Sequence, residues 1–415
     1  GYFTLDNLPD GRQVLDIDPT NAQPGSYGVG YAGFREHFGL IGHVVNYEQR
    51  PFYLPQLDQS SLTPVDPNTE TVITNTQLDI TLTVPAHTAK NMDGSDFTGD
   101  MSISLVPRYL APAAMPDNLD PGLLITIQPV GVVFDAPVPI TFPNIDNLTP
   151  GSEVDIWSLD PEMGSFSIVG TGQVSTDGLR VETISGGIRA ADWHMMMPPK
   201  ATPQDQSPAP NQDPCSQDAT QSTSTIRTAS GCLDTGFSLP AYYSQGISRK
   251  ISFNYRTDRA STNPVIPFDI TIPVRSTVPP KISYEIYVGG VKQGNEVYIS
   301  TAGLSESVDE TIRAAASFDA SLFNTGIYPY RIRITNHFAR SKISTDIRGQ
   351  VTVLNDVQED APLGVGWGIS GISRLNLQSN GTVLRVDGSG KTVEYIPEGQ
   401  NNPSLYFDGN DYILR

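Results

Sequence analysis

Along most of this chain apolar and polar residues alternate one for one. In Tyr328-Pro-Tyr-Arg-Ile-Arg-Ile-Thr335, Tyr330, Ile332 and Ile334 fall on one side and Arg331, Arg333 and Thr335 on the other. Successive side chains leave a pleated backbone on opposite faces, so this is the pattern of a half-buried strand. The same period recurs at 78–84, 101–106, 123–128, 138–142, 154–159, 179–183, 266–274, 282–288, 296–300 and 349–354. Gly, Pro, Asn and Asp break these runs at short intervals, and no long stretch spaces apolar residues at three and four. The pattern predicts an all-β chain of tandem β-sandwiches. Its best helical candidate, the alanine-rich run 311–317, is short.

Changes in composition divide the chain further. Residues 1–60 carry alternating runs at 1–5 and 13–18, and 61–198 hold seven or more short strands with regular turn signals. Residues 199–235 are mostly Pro, Gln, Ser, Thr and Asp, which is linker composition. A second sandwich is expected over 236–360 and a run of hairpins over 361–415. Cys215 and Cys232 are the only cysteines. Joined, they would close a loop of about 18 residues, worth ~3 kcal/mol if the bond acts by restricting the unfolded chain. Two thiols without a C-x-x-C pair make no metal site, so they read as a disulfide staple, with free thiols as the alternative.

Charge removes one class of partner. The formal charge is −19, whereas phosphate binding needs clustered Lys and Arg, so nucleic acid is not expected. No apolar run approaches ~18 residues, so this segment is expected to contain no membrane span. Acidity leaves calcium as a candidate ligand at two places. One is Asp93, Asp96 and Asp100 in a turn; the other is Asp356, Glu359 and Asp360 at a module boundary. The first lacks calcium-hand spacing and a Glu at the twelfth place, and both read equally as solvated loops. No cofactor is otherwise expected.

Several short motifs suggest enzymes and fail on context. Gly366-Trp-Gly-Ile-Ser-Gly371 fits G-x-G-x-x-G, but Glu359-Asp-Ala-Pro362 precedes it and the period-two run Arg374-Leu-Asn-Leu-Gln378 follows. A dinucleotide site needs a strand before and a helix after. Gly28-Val-Gly-Tyr-Ala-Gly33 also lacks a preceding strand. Gly388-Ser-Gly-Lys-Thr392 resembles the end of a phosphate loop, yet Arg385 stands where the motif needs glycine; Asp387-Gly388 reads as a hairpin turn. Trp193-His-Met-Met-Met197 offers soft ligands for Cu(I), but on a strand His194 and Met196 oppose Trp193, Met195 and Met197, which suits packing better. Neither H-E-x-x-H nor G-x-S-x-G occurs, and the five histidines are scattered. No enzyme is expected.

The run Pro362-Leu-Gly-Val-Gly-Trp-Gly-Ile-Ser-Gly-Ile-Ser-Arg-Leu375, followed by Asp387-Gly-Ser-Gly390, resembles the entry to the bacterial Rhs or YD-repeat proteins, relatives of teneurins. Gly236-Phe-Ser-Leu-Pro-Ala-Tyr-Tyr243 and Arg249-Lys-Ile-Ser-Phe-Asn-Tyr255 resemble the strand pair ahead of that junction. Gln128-Pro-Val-Gly-Val-Val-Phe-Asp-Ala-Pro-Val-Pro-Ile140, with Trp157-Ser-Leu-Asp-Pro-Glu162, is similar to the ZU-type sandwich of netrin receptors and ankyrins. Some ZU relatives cleave themselves at His-Phe-Ser; here the nearest triplet, His337-Phe338-Ala339, has no hydroxyl nucleophile. Residues 1–60 resemble part of a carboxypeptidase-regulatory, transthyretin-like module, and 236–360 an Ig- or fibronectin-like plug.

The resemblance implies a non-catalytic piece of a longer bacterial protein, secreted or at the cell surface. Its β-modules would carry or seal a C-terminal repeat shell, for toxin delivery or cell contact. Pro362, Gly364, Gly366, Trp367, Gly371 and Arg374 would dock the shell, with Trp367 as a buried anchor. Its partners would be that shell and other surface proteins or glycans. The alternatives are a calcium- or carbohydrate-binding adhesin, with Tyr242-Tyr243 or Phe52-Tyr53 as an aromatic platform, and part of a secreted hydrolase.

Overall fold

The structure is a computed structural model that describes residues 3–19, 21–22, 30–46, 52–111, 115, 119–160, 165–198, 202–205, 224–227, 232–261, 263–273, 277–356, 361, 363–397, 405–407 and 412–414. Among these residues regular structure is almost entirely strand, and the fold is all-β with tandem sandwiches. No helix is long and apolar enough to cross a membrane.

The largest sheet has ten strands. Across it the order is Thr63–Pro64, Asp100–Val106, Leu124–Gln128, Trp193–Met197, Glu153–Asp160, Ser165–Val174, Arg180–Gly186, Ile140–Pro143, Ile80–Val84 and Thr71–Asn75. The sheet curls until its last strand lies beside Asp100–Val106. Side chains close the seam: Asn75 Nδ2 donates to the carbonyl of Ile103 at 2.8 Å, and Ser61 Oγ accepts from the Ile103 N–H at 3.1 Å. A three-stranded sheet of Ala89–Lys90, Val133–Val138 and Ile188–Ala190 covers the inner face. Between the sheets lies a core that includes Ile73, Leu82, Ile103, Ile127 and Phe134.

Near its centre the large sheet is buried on both faces. Trp193, Met195 and Met197 point away from the first core into a second one, where they meet Leu124, Val154 and Phe34. Phe34 belongs to the N-terminal ribbon, in which Gly11–Ile17 pairs with Phe34–Leu40. Two strands alone are marginally stable, so this ribbon depends on what it covers. Phe52 packs on Phe34 with ring centroids 5.1 Å apart. Phe338 and Ile343 enter the same core from the following sandwich, so the two modules share apolar packing.

That second sandwich sets Val291–Ile299, Lys281–Val288, Gly326–His337 and Lys342–Val353 against Val265–Ile272 and Glu310–Ser317. Ile270, Ile282, Ile332 and Phe268 fill the space between. Each sheet also receives a strand from outside: Leu119–Asp120 joins Lys342–Val353, and Thr202–Asp205 joins Val265–Ile272. Beyond it, Ser373–Leu377, Val383–Asp387, Thr392–Pro397, Leu405–Phe407 and Tyr412–Leu414 form a five-stranded meander.

Three expectations need correction. The alanine-rich segment is the strand Glu310–Ser317 and not a helix, because pairing along all of Val265–Ile272 outweighs alanine's helical preference. Residues 3–10 form no strand, although 1–5 alternate. Within 199–235, read as linker, Thr202–Asp205 and Ser224–Arg227 are strands. The first needs no apolar side chains of its own because it completes the edge of an existing sheet.

One core residue makes stability depend on pH. His194 is 0% exposed, and beyond a contact with the Ala190 backbone neither ring nitrogen has a hydrogen-bond partner of good geometry among the described residues. Burial lowers its pKa from 6.5 to about 3. An unfolded imidazole takes up a proton near pH 6.5, while the folded one does not until about pH 3. The stability present above pH 6.5 is therefore lost progressively as pH falls, by about 1.4 kcal/mol per unit. Melting curves at pH 7 and pH 5 should show a clear loss that His194→Leu largely removes; an equal loss in both chains would exclude His194 as its source.

Candidate functional site

The strongest local constellation lies where the second sandwich meets the meander. Cys232–Ser238 pairs with Ser252–Arg256, which pairs in turn with Trp367–Ile369. The stretch read as a strand pair ahead of the junction thus does pair with the glycine-rich run. One face of this sheet is small, carrying Gly236, Asn254 and Gly368; the other carries Phe237, Phe253, Tyr255 and Trp367.

The small face receives the turn of the Val383–Asp387/Thr392–Pro397 hairpin. A Cβ on Gly368 would run into the carbonyl oxygen of Gly388, and one on Gly388 into that of Ile369. Gly390, at φ +84°, would place a Cβ 2.6 Å from Arg256 Cδ. Only glycine allows two backbones to approach so closely. Gly366, at φ +85°, sits equally tightly, 2.7 Å from Tyr255 Cε2 on the same test. Gly371, at φ +86°, has open space, so there glycine serves the turn alone.

Buried arginines complete the contact. Arg256 donates to Asp258 through Nε and Nη2, at 3.1 and 2.5 Å, and through Nη1 to the carbonyl of Ser389 at 3.3 Å. Arg259 donates through Nε to Asp356 Oδ2 at 2.9 Å and through Nη1 to the carbonyl of Gly388 at 3.4 Å. Arg374 Nη2 donates to the other oxygen of Asp356. Asp356 is 1% exposed, so two guanidinium groups replace its solvent. The site is a mechanical joint.

The phosphate-loop look-alike is explained in the same place. Asp387 Oδ1 accepts from the N–H groups of Ser389 and Lys391, at 2.9 and 3.0 Å, and from Ser389 Oγ at 2.6 Å. The concavity that could hold an anion holds the turn's own carboxylate.

Of the docking residues, Gly366 and Arg374 sit in the joint. Gly364 and Gly371 supply positive-φ turns beside it, and Pro362 lies outside the described residues. Trp367 is 36% exposed, so it is not the buried anchor expected; it rests on Tyr255, with centroids 5.4 Å apart, on the solvent side. The anchors are Arg256 and Arg259, which sequence reasoning missed. The run Arg256-Thr-Asp-Arg259, closing an aromatic strand, is the signal that could have drawn attention.

The first calcium candidate does not converge, and the second lies partly outside the described residues. Asp93 Oδ1 accepts from Ser95 N–H and Oγ, at 3.0 and 2.6 Å, while Asp100 is exposed at a strand start. Asp96 bonds Lys90 Nζ at 2.5 Å and His87 Nδ1 at 3.1 Å, and these partners hold its carboxyl below the usual carboxylate range. Glu359 and Asp360 lie outside the described residues, as does Cys215, and only the backbone of Cys232 is described. Among the described residues no three His, Cys, Asp or Glu side chains gather as metal ligands.

One serine–histidine contact invites a hydrolase reading. Ser283 Oγ lies 2.7 Å from His337 Nε2, but the nearby Glu296 accepts from the serine at 2.5 Å. That geometry directs the hydroxyl proton to Glu296 and is not a nucleophilic triad. Tyr242 and Tyr243 are exposed neighbours on one strand, so their rings leave on opposite faces and form no joint platform; Phe52 packs on Phe34. The chain matches no protein-family model and no curated protein.

Asp356→Asn would leave two guanidinium groups facing a neutral amide. The expected cost is about 3–5 kcal/mol, with protease cleavage appearing first beyond residue 356. Unchanged melting and unchanged cleavage would show that the joint does not rest on this carboxylate.

Proposed function

We propose that this chain is a structural, non-catalytic segment of a secreted or cell-surface bacterial Rhs/YD-repeat protein, and that its sandwiches carry and position a repeat shell begun by the meander. The observation that carries this reading is the fit between Gly388 and Gly368, with Arg256 and Arg259 on the turn carbonyls. It fixes the second hairpin of the meander on the preceding modules through backbone contact, which suits a permanent joint better than a reversible site. A cargo-enclosing or adhesive role for the whole protein follows from the resemblance of Pro362–Leu375 to that family, and belongs to the proposal.

A second reading has one observation in its favour. Phe237 stacks on Phe253 at 5.9 Å, and Tyr255 meets Trp367, on a face open to solvent. Such a row of rings suits a sugar's apolar face, so an adhesin role for glycans is the alternative.

Two measurements separate these readings. The coding sequence beyond Arg415 should continue with hairpins bearing Asp-Gly-x-Gly turns; an unrelated module there would overturn the shell reading. Titration with neutral oligosaccharides should leave the tryptophan emission of the full chain unchanged. Saturable quenching that Trp367→Ala abolishes would favour the adhesin.

A further inference from the structure

The solvent face of the second sandwich is mostly polar, with Tyr298 opposite Ser283 as its exposed aromatic. Cross-strand register sets Lys281, His337, Lys342 and Asp120 in one row. Ser283, Thr335 and Ser344 form the next row, and Glu285, Arg333 and Asp346 the third. Over these rows lies a cleft of about 240 Å³. The donated strand Leu119–Asp120 walls one side, and Glu285 and Glu296 stand among its lining residues.

The lining decides what could enter. Among the described residues Leu119 is its one aliphatic member and the His337 imidazole, already against the Tyr298 ring, its one aromatic ring, which leaves little to hold a hydrocarbon or stack against a sugar. No three metal-ligating side chains gather there among the described residues. Most of the charge is already balanced inside the protein. Arg333 bonds Asp346 through Nε at 2.9 Å, Lys292 pairs with Glu285, and Arg108 bonds Asp120 at 2.7 Å.

Two lining groups, Glu296 and Lys342, are less fully balanced, although the Lys281 ammonium also acts on Glu296. Glu296 accepts from the hydroxyls of Ser283 and Tyr298, at 2.5 and 2.8 Å, and lies 3.6 Å from His337 Nε2. The Ser283 hydroxyl, followed by that of Tyr298, holds its carboxyl below the usual range, and burial with the Lys281 ammonium holds the His337 pKa down. Near neutral pH the pair is therefore carboxylate beside neutral imidazole. Lys342 has no ion-pair partner among the described residues. A carboxylate at one side and an ammonium at the other match a small molecule carrying the same two charges reversed. Free anions meet Glu285, Glu296 and Asp120; free cations gain only half of the match.

We propose that this cleft binds a small zwitterion of the amino-acid class, its ammonium on Glu296 and its carboxylate on Lys342, with the Thr335 and Ser344 hydroxyls between. Those two hydroxyls bond each other at 2.8 Å and keep acceptor capacity toward the cleft. The site stands apart from the glycine joint and does not depend on the shell reading.

Calorimetric titration of the full chain at pH 7 tests it, using L-alanine, β-alanine and γ-aminobutyrate as zwitterions of increasing charge separation. Ethylammonium, acetate and methyl glucoside supply the cation, anion and neutral sugar. At least one zwitterion should saturate with one-to-one stoichiometry and exceed all three controls. Lys342→Met, an exposed substitution, should weaken it about tenfold or more, and Glu296→Gln likewise. No saturation by any zwitterion, equal binding of a control, or affinity unmoved by Lys342→Met would each overturn the proposal.

Discussion

Withdrawing a carboxylate from water costs several kcal/mol unless cations take the solvent's place, and Asp356 is withdrawn almost completely. Its two cations come from opposite directions along the chain. Arg259 follows the strand that precedes the second sandwich, and Arg374 opens the meander that succeeds it. The chain must leave the sandwich, turn back and lay both segments over one oxygen pair before that charge is compensated. Arg259 also reaches the carbonyl of Gly388, so a single guanidinium ties the carboxylate to the hairpin turn. The glycines at 368 and 388 are the steric counterpart of this electrostatic demand, because any side chain there would hold the segments apart.

Much of the architecture was legible because period-two alternation is a local property. The strands around Tyr330, Ile332 and Ile334, and the opposed faces of Trp193–Met197, follow from side-chain geometry alone. Where partners decide the outcome, local reading failed. Ala314–Ala316 favour helix in isolation, yet Val265–Ile272 offers a complete ladder. Asp356 reads from the sequence only as a calcium candidate beside Glu359 and Asp360; its partner here is an arginine 97 residues away in sequence, and spacing carries no trace of such a partner. The resemblance of Pro362–Leu375 to a repeat-shell entry made Trp367 the expected anchor. Here the strand presents its glycine face to the joint, which turns the indole outward.

The two cores of the N-terminal half divide labour in a way that alternation makes inevitable. A central strand with apolar residues on both faces must be covered twice. The three-stranded sheet covers one face, and the ribbon with Phe338 and Ile343 covers the other. His194 occupies that strand with a buried imidazole that, among the described residues, meets no partner beyond the Ala190 backbone, and the Ser158 hydroxyl opposite it donates to the Leu159 carbonyl.

The exchange of edge strands has a consequence for how this chain can be made and divided. The second sandwich takes Leu119–Asp120 on one sheet and Thr202–Asp205 on the other, both from upstream of its own continuous stretch. A fragment cut at residue 236 would therefore bare two sheet edges at once, and a bare edge recruits whatever strand it meets. During synthesis the donor segments emerge first and wait for the sheets that accept them. Thr202–Asp205 finds its acceptor once Val265–Ile272 has emerged, whereas Leu119–Asp120 stays unpaired until Lys342 and Ile343 have left the tunnel.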